Sequence, residues 1–102
     1  MKTVTICAAV LVDDQTPVTI HELAHFCEQQ FDWVVSLVEH GVVPPVGHTE
    51  SPERWVFTSP AVVRARQVAR LQRDFEVNLD AAALMADLMQ EIRQLREQLR
   101  IS

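Results

Sequence analysis

Residues Thr19 to Phe26 read T-I-H-E-L-A-H-F, and two structural readings compete for them. His21, Glu22 and His25 spell H-E-x-x-H. In zinc peptidases that motif places two histidines on one helical face to hold the metal, with the glutamate activating a bound water. The same letters also spell a helix start. Thr19 is a good N-cap, Glu22 stands three residues on as in a capping box, and Val18 can staple onto Leu23. Ile20, Leu23, Ala24 and Cys27 then form one apolar stripe at helical spacing.

The stripe decides between them. If positions 20, 23, 24 and 27 face the core, His21 and His25 point with Glu28 to the polar side rather than into a walled cleft. Glu22 already has a structural role in the cap. Glu39, His40 and His48 are the candidates for a third ligand, but a chain of 102 residues has little left to build a substrate cleft around them. The expectation is therefore no metal, no cofactor and no catalytic residue, with a zinc-dependent hydrolase through residues 21–25 as a remote alternative. Gly41 and Gly47 are the only glycines, so there is no Gly-rich phosphate loop.

Charge is distributed unevenly. No Lys or Arg occurs from Thr3 to Glu53, where eight acids sit, whereas eight arginines and six acids follow from Arg54 onward. An acidic front half repels phosphate backbones and attracts basic surfaces. The apolar start, M-K-T-V-T-I-C-A-A-V-L-V, resembles a signal peptide but lacks a convincing cleavage site, and it alternates as a strand does. Cys7 and Cys27 form no paired motif and fit reduced thiols of a cytoplasmic protein. No apolar run reaches the ~20 residues of a membrane span.

The pattern predicts one domain over residues 1–102. A strand over 3–12 and a linker fill residues 1–17. After the capped helix comes a second short helix, D-W-V-V-S-L-V-E-H-G, with Asp32 as N-cap and Gly41 just past its end. Its core stripe is Val34, Leu37 and Val38. V-G-H-T-E-S-P-E-R-W-V-F-T reads as a small hairpin whose second strand is Arg54–Phe57. Ser59 and Pro60 open a third helix running to about Asp74. Ala61, Ala65, Val68, Leu71 and Phe75 lie along one side of it, and Arg66, Arg70 and Arg73 lie roughly opposite. Asn78 caps a fourth helix that continues to the C-terminus. Met85, Leu88, Ile92, Leu95 and Leu99 repeat at spacings of 3, 4, 3 and 4, a seam suited to self-association.

Helix, short helix, wing, helix and long C-terminal helix is an order that resembles a MerR-type winged helix-turn-helix. The fold class expected is thus mainly α, MerR-like, with a short N-terminal strand, a small β-wing and a long last helix. The helix-turn-helix and wing would occupy 18–58 and the two C-terminal helices 59–102. T-I-H-E-L-A at 19–24 is similar to the opening helix of that family, and L-V-E-H-G-V-V-P-P at 37–45 to the end of its recognition helix. A more specific resemblance lies further on. R-W-V-F-T-S-P at 54–60 and A-R-L-Q-R-D-F-E-V-N-L-D-A-A-A-L at 69–84 are similar to the CbpM-type chaperone modulators.

That resemblance implies a non-enzymatic adaptor that binds the J-domain of a DnaJ-like, CbpA-type co-chaperone and inhibits its stimulation of Hsp70. The residues support part of this independently. MerR-type DNA readers need Arg or Lys on the second helix and wing. Here that helix presents Asp32, Trp33, Ser36, Glu39 and His40 and no basic residue. An aromatic flanked by acids suits a basic protein partner, although Trp33 would equally pack against Phe31 or the wing. Arg66, Arg70 and Arg73, with Arg54 on the wing, keep a MerR-like DNA-binding regulator as the alternative.

Overall fold

The computed structural model describes residues 17–47 and 51–101, so the strand expected over 3–12 lies outside the described residues, as does His48. In chain order the elements are β1 (Val18–Thr19), α1 (Ile20–Cys27), α2 (Phe31–Glu39), a 3-10 turn (Pro52–Arg54), β2 (Val56–Phe57), α3 (Ser59–Phe75) and α4 (Leu79–Ile101). This is the expected mainly helical architecture with a small β element. The chain divides into two compact units between Arg66 and Gln67.

In the first unit, β1 and β2 pair antiparallel, Val18 opposite Phe57 and Thr19 opposite Val56. Thr19 has extended backbone angles, φ −73° and ψ 164°, so it both ends the strand and caps α1. Its Oγ1 accepts from the Glu22 N–H at 3.1 Å, and Glu22 Oε1 accepts from the Thr19 N–H at 2.9 Å. The capping box is formed as expected. Ile20, Leu23, Ala24 and Cys27 are buried, as their spacing requires. The helix ends at Glu28, which adopts the left-handed region at φ 56°. That costs a non-glycine residue roughly 1–2 kcal/mol. Hydrogen bonds from Glu28 N–H to the His25 carbonyl (3.1 Å) and from Gln29 N–H to the Ala24 carbonyl (3.0 Å) hold the turn.

The start of α2 corrects the sequence expectation. Gln30, not Asp32, is the N-cap, and its side chain makes no capping bond. Glu28 turns the chain early, and helical geometry resumes at Phe31, whose ring lies 5.4 Å from that of His21. Asp32 falls inside the first turn, where its charge still opposes the positive end of the helix dipole. Val34 and Leu37 are buried, whereas Val38 is half-buried. Gly41 follows the C-cap His40 with φ 71°, as anticipated.

The wing also differs from the expected hairpin. Among its described residues only Val56–Phe57 is strand, and its ladder partner is β1. Pro52 has no N–H to give a ladder; it opens the 3-10 turn that contains Arg54. In the described part of the preceding arm, Val46 N–H bonds to the Val56 carbonyl at 2.8 Å. Phe57 is completely buried and anchors the strand.

Ser59 is itself the first residue of α3, and Val62 N–H bonds to the Thr58 carbonyl at 3.1 Å, one residue ahead of the expected cap. Ala61, Val62 and Ala65 complete the buried set of the first unit. In the second unit Val68, Ala69 and Leu71 on α3 and Ala82 and Ala86 on α4 are buried. Phe75, expected on the buried side, is 59% exposed. It is the last residue of α3, and Glu76 at φ 52° turns the chain away directly after it. Asn78 Oδ1 accepts from Ala81 N–H at 2.8 Å, the cap the sequence predicts. No helix among the described residues is long and apolar enough to cross a membrane.

Two outcomes follow. Thr19→Ala removes the acceptor for Glu22 N–H and should cost about 1 kcal/mol. That lowers the melting midpoint by about 4–8 °C, read by circular dichroism, while Glu22→Gln, which keeps an acceptor for Thr19 N–H, should cost less. The second concerns Cys27. Burial pushes its thiol from 9.0 to about 12, against the opposing pull of the Arg66 guanidinium. Unfolding releases a thiol that ionises at the lower value, so its contribution is intact below pH 9 and is lost as the pH rises toward 12. With Cys7 changed to Ser in both proteins, Cys27→Ala should flatten the decline of denaturant stability in that alkaline window.

Candidate protein-docking site

The short helices bury Ile20, Leu23, Ala24, Cys27, Val34 and Leu37 and leave their charged side chains exposed. On α2, Asp32 and Glu39 are exposed, Trp33 and Ser36 are half-buried, and His40 is exposed at the C-cap. Positions 32, 36, 39 and 40 recur at helical spacing and so share one side of α2, with Trp33 beside them. On α1 the exposed residues are His21, Glu22, His25 and Glu28. Neither helix carries a lysine or arginine.

The sequence weighed Trp33 as either a packed or a presented side chain. In the structure Trp33 is half-buried.

His21 lies where three elements meet. Its ring stacks on Phe31 at 5.4 Å and 29° between planes. Its charge also acts on Glu53 in the 3-10 turn. The Glu53 carboxyl is held below the ordinary range first by the Ser51 hydroxyl, which donates to Oε1 at 2.8 Å, then by its own backbone N–H, with His21 a smaller influence. Glu22, the glutamate of H-E-x-x-H, keeps its carboxylate on the Thr19 N–H. Among the described residues no three His, Cys, Asp or Glu side chains converge as metal ligands would.

The arginines of α3 differ in exposure. Arg66 is half-buried near Cys27, in the first unit. Arg70 and Arg73, in the second unit, are exposed, and Arg73 Nε stands 4.0 Å from Asp74 Oδ1 in a solvated pair of little energetic weight. Sequence reasoning missed Arg64. Its Nε donates to the Val42 carbonyl at 2.7 Å and so ties the turn after α2 to α3. The available signal was position: Arg64 is three residues after Ala61 and four before Val68, at the flank of the buried stripe.

On α4, Met85 is half-buried, Leu88, Ile92 and Leu95 are about half exposed, and Leu99 is 76% exposed. Leu84 and Met89, which the sequence did not include, widen this apolar face. Gln67 Nε2 reaches Met89 Sδ at 3.9 Å along one edge.

Comparison with known proteins places this geometry. Residues 18–101 match the model of the MerR HTH family regulatory proteins. The chain is similar to the chaperone modulatory protein CbpM of Pseudomonas putida strain W619, with 43% identity over 67 residues, 66% of this chain and 64% of that protein. It is also similar to the protein of the same name from Coxiella burnetii strain Dugway 5J108-111, with 30% identity over 91 residues, 89% of this chain and 84% of that protein. The match to the Pseudomonas relatives thus spans just under two thirds of their length.

Proposed function

The chain belongs to the MerR-type helix-turn-helix family, as a CbpM-type member, and we propose that it is a non-enzymatic chaperone modulator in the cytoplasm. In this reading it docks on the J-domain of a DnaJ-like, CbpA-type co-chaperone and blocks that domain's stimulation of Hsp70. The carrying observation is the outer side of α2. Where a DNA reader of this fold needs cations, α2 presents Asp32, Trp33, Ser36, Glu39 and His40. Each carboxylate there repels phosphate, and a half-buried tryptophan among carboxylates suits a basic protein helix. A J-domain presents such a helix to Hsp70, so covering it would exclude Hsp70 by competition for one surface.

A second copy of the chain is the proposed occupant of the α4 seam. Met85, Leu88, Ile92, Leu95 and Leu99 lie in the second unit, whereas the docking residues lie in the first, so self-association and docking use different residues.

DNA remains the second reading because Arg70 and Arg73 are exposed. Its signature is an affinity that falls linearly with log salt and tolerates any sequence at low salt.

Calorimetric titration against the isolated J-domain at two salt concentrations tests the docking reading. The expected result is one J-domain per chain, weakened but not abolished by salt. Trp33→Ala should lower affinity by tenfold or more, the scale of an interface anchor (about 2 kcal/mol). Glu39→Gln should mainly slow association. Absence of heat at both salts would discard the proposal. For the seam, sedimentation velocity should show a concentration-dependent dimer that Leu95→Glu converts to monomer while J-domain binding survives; a wild-type monomer at high concentration would remove this assignment.

A further inference from the structure

We infer that the junction of α1, α2 and the 3-10 turn receives one arginine of the docked partner: its guanidinium lies against the His21–Phe31 ring pair and pairs with the Glu53 carboxylate. The inference rests on the docking reading above and names a contact within it.

Three separate elements bring these residues together. His21 stands in the first turn of α1, Phe31 opens α2 and Glu53 is the middle residue of the 3-10 turn. α1 packs against both α2 and the turn. The imidazole of His21 and the ring of Phe31 are stacked, with 5.4 Å between centroids and 29° between planes. His21 is also within electrostatic reach of Glu53. His21 and Glu53 are exposed and Phe31 is half-buried, so the group is open to a partner. Successive helical residues are turned by about 100°, which puts Glu39 about 80° and Asp32 about 100° round α2 from Phe31. Phe31 therefore borders the side of α2 that carries the docking acids.

The Glu53 carboxylate is fixed before any partner arrives. The Ser51 hydroxyl donates to Oε1 at 2.8 Å, and with the Glu53 backbone N–H it holds the carboxyl below the ordinary carboxylate range. An exposed glutamate ordinarily samples several rotamers, and holding it in one lowers the ordering cost of a contact. Arg54 is the next residue of the turn, and consecutive residues of a 3-10 helix leave it about 120° apart. An aromatic surface beside a fixed carboxylate matches a guanidinium better than an ammonium. Arginine is planar, stacks on rings and gives a carboxylate two parallel N–H bonds, whereas lysine is a compact, strongly hydrated point charge. The ring face adds attraction for a cation within ~6 Å. These three properties together select arginine as the occupant.

The experiment measures calorimetric affinity of the isolated J-domain for the wild-type chain, E53Q, S51A and F31L, with thermal melts to establish that each chain is folded. E53Q and F31L should each bind roughly fivefold more weakly. S51A keeps the charge but releases it, and should fall between E53Q and the wild type. Each arginine of the J-domain is then changed singly to lysine. With one of these partners the E53Q penalty should shrink below about twofold, because the guanidinium that Glu53 engages is gone. E53Q binding as tightly as the wild type would overturn the receptor and leave the docking reading in place. A fivefold loss that no arginine-to-lysine change relieves would overturn it too. Should F31L melt early, the E53Q cycle alone decides. No binding by the wild-type chain would overturn the docking reading and the receptor together.

Discussion

Thr19 closes two structures at once, and the first unit depends on both. As the last residue of β1 it stands opposite Val56, which fixes where β2 lies and so where Phe57 enters the core. As the N-cap of α1 it exchanges hydrogen bonds with Glu22. An extended backbone at 19 satisfies both roles, because an N-cap residue ordinarily has strand-like angles. A two-stranded ladder of two residues each has no independent stability in water. It persists here because Val18 and Phe57 are buried on it and because the capping box joins Thr19 to Glu22 at the start of α1. The orientation of α1, and through it the position of His21 and His25, descends from this junction.

The same economy gives the glutamate of H-E-x-x-H a structural role at the start of α1. A glutamate three residues after a threonine cap is drawn back to the cap N–H, which fixes its carboxylate at the start of the helix. The histidines then lie outside the buried stripe, and the His21 ring stacks on Phe31. Acidity is left as the dominant property of the surface.

Much of this was legible in the sequence wherever the determining interaction is local. The capping box at Thr19 and Glu22, the buried positions of α1, the turn at Gly41 and the Asn78 cap all depend on residues within a few positions of one another. The pairing of Val18–Thr19 with Val56–Phe57 does not. Strands of two residues are too short to show alternation, and their partner is decided by burial of Phe57 far along the chain. Asp32 was a better cap by chemistry than Gln30. The chain had already been turned at Glu28, however, in a left-handed conformation that a glutamate does not advertise. The composition of the docking side could be read directly, since acids and the absence of arginine need no geometry. The intermediate burial of Trp33 and the engagement of Arg64 with the Val42 carbonyl required the folded turn between α2 and α3.

The long last helix raises a different physical question. Beyond Ala86 every residue through Arg100 is exposed, although the helix runs on to Ile101. That extension measures roughly 20 Å. Its start is secured by Asn78 and by the burial of Ala82 and Ala86, so extending it requires only propagation, each residue adding a backbone bond without a new nucleus. Propagation explains how the helix can continue but not why leucine and isoleucine recur along one side of it. Solubility alone would favour polar residues at Leu88, Ile92, Leu95 and Leu99, as at Arg93, Arg96 and Glu97 between them. The proposed pairing of two chains supplies the missing term, since burying that seam stabilises the extension through contacts rather than helix propensity. The seam residues all belong to α4, whereas the acids of the docking reading belong to α1 and α2, so the two proposals draw on separate side chains.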